Sequence, residues 1–191
     1  MPRIVAFFQP GWADWEAGPI LALLREYMKG EVRIATPDGG PQTSIGGVRA
    51  LADAAFAEIG PRDAEVLLVI GSDAWPGFRD TAFFELLREA HAGGAIIGAI
   101  CAGTVAAARA GLFEGRAHTS NDRGWLLGEA PGYAGADLYR DIPQAVSDGR
   151  MVSASGLAPQ TFATEIARLV APGAEAQLRE RDALMAREWV G

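Results

Sequence analysis

The sequence predicts an α/β fold, with a mostly parallel sheet covered by helices on both faces. Short apolar runs alternate with amphipathic stretches along the 191 residues. Two of these runs, 65–70 and 95–100, are apolar at nearly every position, which is typical of strands buried on both faces. Helix-length segments between strands favour right-handed crossovers and parallel neighbours. We therefore expect a flavodoxin-like three-layer sandwich.

The predicted strands share short length and apolar character. They are Ile4–Phe8, Val32–Ala35, Glu65–Ile70, Ala95–Ile100 and Arg116–Thr119. Tight-turn residues mark two hairpins, Gln42–Leu51 with a turn at Gly46-Gly47 and Ala145–Ser153 with a turn at Asp148-Gly149. The stretch Gly132–Pro143 has the composition of a loop.

The predicted helices are recognised by apolar residues at helical spacing. Three stripes show it: Trp15, Ile20, Leu23, Leu24 and Tyr27; Phe83, Phe84, Leu86, Leu87 and Ala90; and Phe162, Ile166, Leu169 and Val170. A small-residue helix is expected over Ala102–Ala110, and a last helix from about Glu175 to Trp189. No repeat or linker divides the sequence, so we expect a single domain over residues 1–191.

Composition narrows the classes of function. The net charge is −7, and one Lys with scattered Arg residues offers no cluster for phosphate contacts, so nucleic acid is not an expected partner. No stretch reaches the roughly 18 apolar residues of a membrane span, and no signal-peptide core is present. We therefore expect a cytoplasmic protein. One cysteine and two histidines exclude a disulfide framework, and we expect neither metal nor cofactor.

Cys101 lies between a predicted buried strand and a small-residue helix. So tight a turn is typical of nucleophile elbows, where only small neighbours such as Ala99, Ala102 and Gly103 fit. The first helical amides and the helix dipole favour a thiolate, so we expect the thiol pKa to lie below its ordinary value of about 8.5. The alternative is that Cys101 is a small buried hydrophobe.

Three segments together carry a family resemblance. Ala99–Gly103, Gly111–Arg116 and Thr119–Asn121 resemble the core signature of the ThiJ/PfpI superfamily, within the class I glutamine amidotransferase-like fold. The resemblance covers the chain from Ile4 to about Val170. That superfamily includes protein deglycases, glyoxalases, PfpI-type proteases and isocyanide hydratases. It implies a small-molecule substrate for this chain.

The resemblance also implies a carboxyl partner for Cys101. Family members carry Glu or Asp just after the first strand, hydrogen-bonded to the cysteine sulfur. Glu16 matches that position best, and Asp14 is the alternative. Two negative groups at hydrogen-bonding distance would repel each other. We therefore expect a neutral Glu16 that donates to a Cys101 thiolate.

An oxyanion site is implied at Gly71-Ser72, where family members usually have two glycines. Ser72 still supplies an amide donor, although it would be strained if the backbone needed a positive φ. With the amide of Ala102, it is expected to stabilise an oxyanion. Trp75 is expected either to line the pocket or to pack in the core.

The histidines of several relatives are missing from this sequence. No histidine follows His118, which argues against the Cys-His-Glu triad of glutamine amidotransferases. Ala102 stands where PfpI-type proteases have His, and Asn121 stands where protein deglycases have His. Asn121 donates and accepts hydrogen bonds but cannot shuttle protons. His118 begins a His-Thr-Ser-Asn string that resembles an amidotransferase-like subgroup, and it is either catalytic or a structural histidine at a strand end.

Two functions follow from these residues. In the first, a Cys101 thiolate attacks a small electrophile, such as an α-oxoaldehyde, an isonitrile or an activated acyl group, with Glu16 as acid and base. In the second, Cys101 oxidises to sulfinic acid in a redox or stress response without turnover. The resemblance further implies a homodimer, with Trp12, Trp189 or the 42–51 hairpin as candidate contacts.

Overall fold

A computed structural model describes residues 1–188 and confirms the α/β architecture. The strands are β1 (Arg3–Phe7), β2 (Glu31–Thr36), β3 (Gln42–Thr43), β4 (Arg49–Ala50), β5 (Ala54–Ala55), β6 (Val66–Val69), β7 (Ile96–Ile100), β8 (Val146–Asp148) and β9 (Met151–Ala154). Within the described residues, seven of them form one sheet in the order β5-β2-β1-β6-β7-β9-β8. Every pair in this sheet is parallel except β8 with β9.

Helices cover both faces of this sheet. They are α1 (Asp14–Ala22), continued by a π-helical turn (Leu23–Tyr27), α2 (Thr81–Ala92), α3 (Gly103–Arg109), α4 (Arg123–Glu129), α5 (Pro159–Val170) and α6 (Glu175–Ala186). Apolar residues of α1, α5 and α6 join one core cluster, and those of α2, α3 and α4 join the other. The predicted three-layer sandwich is thereby confirmed.

Successive side chains of a strand point to opposite faces of the sheet, and helices cover both faces, which explains why the strands are apolar at consecutive positions. In β1, Val5 and Phe7 pack into one cluster, while Ile4 and Ala6 pack into the other. Both faces of a central strand are therefore removed from water, and no position is left for a polar side chain.

The strand predicted at 116–119 is wrong. Only an isolated bridge joins His118 to Tyr139. Side chains satisfy the nearby backbone instead, because the Ala117 amide donates to Asp148 and the Thr119 amide donates to Ser153. No strand ladder is needed to pair these amides.

Helix α4 was not predicted from the sequence. It contains Gly124 and Gly128, which weaken a helical pattern. Asp122 caps it by accepting from the Trp125 amide at 2.7 Å. An N-cap thus starts a helix that composition alone does not reveal.

Three aromatic residues are placed differently from their predictions. Trp15 and Tyr27, expected in the first apolar stripe, are largely exposed. Trp12, expected as an exposed contact, is buried and stacks on Phe8 with ring centroids 4.1 Å apart.

The last helix ends at Ala186, and the predicted end at Trp189 lies outside the described residues. Among residues 1–188, no helix combines the length and apolar character that a membrane crossing requires.

Candidate active site

Cys101 follows the last residue of β7 in a strained backbone conformation. Its φ is +55°, in the left-handed region that costs an ordinary residue about 1–3 kcal/mol. The chain holds it there from both sides: its N–H donates to the Ala154 carbonyl at 2.9 Å, and its own carbonyl accepts from the amide and hydroxyl of Thr104. The predicted tight turn at the carboxyl edge of the sheet is present.

Close packing around this turn explains the small residues. A Cβ on Gly103 would lie 2.3 Å from the Val69 carbonyl oxygen, so α3 can start directly against β6 only with glycine. A Cβ on Gly71 would lie 2.4 Å from Oε2 of Glu16 and 2.8 Å from Cβ of Cys101. The acid and the thiol therefore meet against a backbone that has no side chain.

Glu16 lies in the first turn of α1 and is completely buried. Its Oε2 accepts a hydrogen bond of 2.9 Å from the Gly71 amide. Its Oε1 finds no partner of good hydrogen-bond geometry within residues 1–188. Oε1 and the Cys101 sulfur border the same residue, since a Cβ on Gly156 would lie 2.8 Å from the first and 3.0 Å from the second.

The Glu16 carboxyl and the Cys101 thiol each change the pKa of the other. Burial raises the pKa of Glu16 to about 7, against smaller lowering by Cys101 and Gly71. Burial first, and the Glu16 charge second, raise the pKa of Cys101 to about 11. The expected lowering of the thiol pKa is therefore wrong beside an ionised Glu16, because burial disfavours the charged sulfur and the Glu16 charge repels it. Between the two values, the pair holds one proton and one negative charge.

Asn121 contacts the sulfur directly. Its Nδ2 lies 3.1 Å from Sγ of Cys101, and its Oδ1 accepts from the Gly156 amide at 2.9 Å. The backbone amide of Ala102 is a second donor that favours the ionised sulfur. The family resemblance placed Ala102 among the oxyanion donors and Asn121 at the position of the deglycase histidine, and both residues lie beside the sulfur.

Two residues at the site were not predicted from the sequence. Gly156 follows β9, which is the neighbour of β7 in the sheet, and it packs against both Glu16 and Cys101. Trp15 reaches the same residue, since its indole Nε1 donates to the Gly156 carbonyl at 3.0 Å. The sequence did contain a signal for Gly156, because Ser155-Gly156 comes just after a strand, and functional sites form at the carboxyl ends of strands in such sheets.

Asp14 faces away from the sulfur and binds the small hairpin, which is formed by β3 and β4. Its Oδ2 accepts from the Ser44 hydroxyl at 2.5 Å and from the Gly46 amide at 2.9 Å. The Ser44 hydrogen bond is the main cause that lowers the pKa of Asp14. Of the two predicted alternatives, Glu16 is the carboxyl beside Cys101.

Ser72 is accommodated without backbone strain. Among the non-glycine residues described, positive φ occurs at Lys29 and Cys101, so the feared strain at Ser72 is absent. Its hydroxyl donates to the Pro10 carbonyl at 2.6 Å and accepts from the Ala74 amide. These bonds position the turn that carries its backbone amide.

Trp75 belongs to the core and does not line the pocket. It is fully buried, donates through its indole to the Ile70 carbonyl at 2.6 Å, and packs among Phe56, Phe78 and Phe83. Of its two predicted roles, the packing role is the observed one.

His118 is also engaged away from the sulfur. Its Nδ1 pairs with the Arg116 carbonyl at 3.0 Å, and its Nε2 pairs with the Tyr133 hydroxyl at 2.9 Å. Its ring stacks on Phe113 at 4.1 Å, and burial lowers its pKa. Both ring nitrogens are bound away from the sulfur, which favours the structural alternative for His118.

Comparisons with known proteins agree with this fold. The sequence matches the DJ-1/PfpI family over residues 2–169. It is 30% identical over 161 residues to the uncharacterized protease YoaZ of Bacillus subtilis, covering 81% of this chain and 76% of that protein. The crystal structure of the DJ-1 superfamily protein Atu0886 from Agrobacterium tumefaciens is similar, with a TM-score of 0.87, 34% identity, and 98% and 99% of the two chains covered. A thiJ/pfpI family protein from Bacillus anthracis gives a TM-score of 0.80 at 29% identity, over 88% and 82% of the chains. The chain belongs to the DJ-1/PfpI family.

Proposed function

We propose that this protein is a cofactor-independent enzyme of the hydrolase or lyase type that acts on a small electrophile through Cys101. One observation carries the proposal. The sulfur is held at a strained elbow, beside a buried carboxyl of raised pKa and within reach of uncharged donors. Strained geometry and perturbed pKa values concentrate at functional sites.

The first step is an addition that moves one proton. In the reactive form, the sulfur is ionised and Glu16 carries the proton. The sulfur pair forms a C–S bond with the electrophilic carbon, for example the aldehyde carbon of an α-oxoaldehyde, and the C=O π pair moves to oxygen. The amides of Ala102 and Ser72 bind this oxygen while Glu16 transfers its proton to it. Negative charge has then moved from sulfur to carboxylate, and Glu16 is ready to act as the base in the next step.

A peptidase activity is not part of the proposal, although the name of the relative YoaZ includes the word protease. Amide hydrolysis needs a group that protonates the leaving amine, usually a histidine beside the nucleophile. Ala102 follows the nucleophile here, and both ring nitrogens of His118 are bound elsewhere.

Oxidation of Cys101 is the second candidate function. Cys101 is a partly exposed residue, and its sulfur faces the donors of Asn121 and Ala102, which suit sulfinate oxygens. Attack of the thiolate on a peroxide breaks the O–O bond, releases hydroxide and gives a sulfenic acid. A second peroxide gives the sulfinic acid.

Wild type and Cys101→Ser distinguish these functions. Both are assayed against methylglyoxal, an isonitrile and p-nitrophenyl acetate, and their intact masses are recorded after mild peroxide. Turnover that disappears in Cys101→Ser supports the enzyme. A gain of two oxygen atoms on wild type without turnover supports the redox function. If neither occurs, both proposals are wrong and Cys101 is structural.

We also propose a homodimer that forms through the small hairpin. Ile45, Val48 and Leu51 lie in or next to it and are each more than half exposed, and exposed apolar clusters mark interaction surfaces. Val48→Asp is expected to shift the protein from dimer to monomer in sedimentation velocity, and an unchanged mass would contradict this surface. A reducing compartment such as the cytoplasm would keep Cys101 reduced.

A further inference from the structure

We propose that Asn121 is a positioning residue that holds the Cys101 sulfur and favours its ionised, nucleophilic form. The inference rests on the proposed function, because it concerns the same nucleophile. It names a side chain, outside the Cys101–Glu16 pair, that acts on the sulfur.

The orientation of the Asn121 amide is fixed by the loop after β9. Oδ1 pairs with the Gly156 N–H, and a backbone N–H can only donate. Nδ2 therefore faces Sγ of Cys101, and it too can only donate. Rotating the amide by 180° would oppose two N–H groups at Gly156 and place an oxygen against the sulfur.

The hydrogen bonds around the pair are unequal. The sulfur faces two donors, Asn121 and the Ala102 amide, and both lower the pKa of Cys101. The Glu16 carboxyl receives one, from the Gly71 amide. A donor stabilises the ionised form of the group it binds, so Asn121 favours the thiolate. Without Asn121, the sulfur would keep one donor, the Ala102 amide.

Asn121 achieves this without adding a titration. A carboxamide keeps its protons near neutral pH, whereas a histidine at this position would titrate near 6.5. Among the described residues, Glu16 is the charged group that acts on Cys101. Of the nearby acids, Asp14 binds the hairpin, Asp122 caps α4 and Asp73 is exposed.

The test is the pH dependence of Cys101 alkylation by iodoacetamide, followed by intact mass. In wild type, we expect the rate to rise with pH as the Cys101 thiol ionises. In Asn121→Leu, the midpoint should rise by about one to two pH units, the size expected for losing one hydrogen bond to a charged group. Asn121→Asp should raise it at least as far, because an oxygen replaces the donor. Gln160→Leu, which removes an amide that binds Arg181, should match wild type.

Two results would overturn the inference. One is an unchanged midpoint in Asn121→Leu, and the other is an unchanged midpoint in Asn121→Asp. If Asn121→Leu fails to fold by circular dichroism, the isosteric Asn121→Asp decides the comparison. Alkylation needs no turnover, so the expected shift in a protein that converts no electrophile would contradict the proposed function and support this inference. Turnover of an electrophile, together with an unchanged midpoint in Asn121→Leu, would support the proposed function and contradict this inference.

Discussion

The indole nitrogen of Trp15 donates a hydrogen bond of 3.0 Å to the carbonyl oxygen of Gly156. This bond joins α1 to the loop after β9, two elements 141 residues apart in sequence. The N–H of the same glycine donates to Asn121. Both polar backbone groups of Gly156 are therefore held by side chains of the pocket, and the glycine is held against the reacting pair.

Replacing Trp15 by Phe should loosen this loop without unfolding the protein. Trp15 is 47% exposed, so little core packing is lost. A hydrogen bond of this kind is worth about 0.5–1.5 kcal/mol net, so the Gly156 amide should exchange its hydrogen roughly two- to tenfold faster. Hydrogen exchange with mass spectrometry measures this rate. Tyr27→Phe, at an exposed aromatic after α1, is the control, and equal exchange in both variants would show that the bond does not hold the loop.

Gly156→Ala should disable the site by steric conflict. The new Cβ would lie 2.8 Å from Oε1 of Glu16 and 3.0 Å from the Cys101 sulfur. Overpacking of this kind costs about 1–3 kcal/mol, and it should slow alkylation of Cys101 at every pH. Gly128→Ala in α4 is the matched control, because nothing lies within 4 Å of its Cβ and alanine favours a helix. Wild-type alkylation in Gly156→Ala would mean that the loop moves away freely.

Glu16→Gln should separate nucleophilicity from turnover. The Gly71 N–H would hold the Gln oxygen, so its NH₂ group would face the sulfur as a neutral donor. The alkylation midpoint should then fall, because the charge that raises the pKa of Cys101 is gone, while turnover falls by about 10²-fold or more without a proton to transfer. Iodoacetamide kinetics and the substrate assay measure the two effects. Full turnover in Glu16→Gln would exclude the carboxyl as acid and base.

Glu16 should also make the fold less stable as pH rises. Its pKa is raised from 4.5 to about 7, so the folded state binds more protons than the unfolded state between these values. The free energy of unfolding therefore falls across this window, by about 3 kcal/mol for this group alone. The half-buried His91 and the buried His118 have lowered pKa values and act in the opposite direction up to about 6.5.

The difference between wild type and Glu16→Gln isolates the contribution of Glu16. Urea unfolding at several pH values from 4.5 to 7.5 measures both proteins, and the histidine effects cancel. The carboxyls of Asp14 and Glu65 have lowered pKa values and change below this window. A difference that stays constant with pH would mean that Glu16 ionises normally in the folded state.

His118 should affect stability and leave the nucleophile unchanged. His118→Leu would leave the Arg116 carbonyl and the Tyr133 hydroxyl without their partner, which costs about 1–3 kcal/mol. Thermal unfolding should show this loss, and Tyr133→Phe should show a smaller one. The alkylation midpoint should equal that of wild type in both. A shifted midpoint in His118→Leu would return this histidine to the catalytic residues.

Much of the fold could be predicted because buried strands and helix faces need apolar residues at regular spacing, and this pattern is visible in the local sequence. Strands such as β6 and β7 are covered on both faces, so their apolar runs are unmistakable. Elements that depend on side-chain bonds were harder to predict. The segment 116–119 looks like a strand, yet Asp148 and Ser153 bind its amides. Helix α4 begins at a cap that composition does not mark.

The sequence by itself determined the alternation of strands and helices and the turn at Cys101, because local residue size and apolar period control these features. The carboxyl beside Cys101 was implied by the family resemblance, with Glu16 and Asp14 as alternatives. Only the tertiary structure decided which polar groups surround the sulfur. Gly156 and Trp15 reach the site from opposite ends of the chain, and His118 turns to Tyr133 instead. The tertiary structure also decided the pKa of the Cys101 thiol, which burial and the Glu16 charge raise. Such contacts arise from how distant strands are ordered in the sheet, and that order is absent from any local pattern.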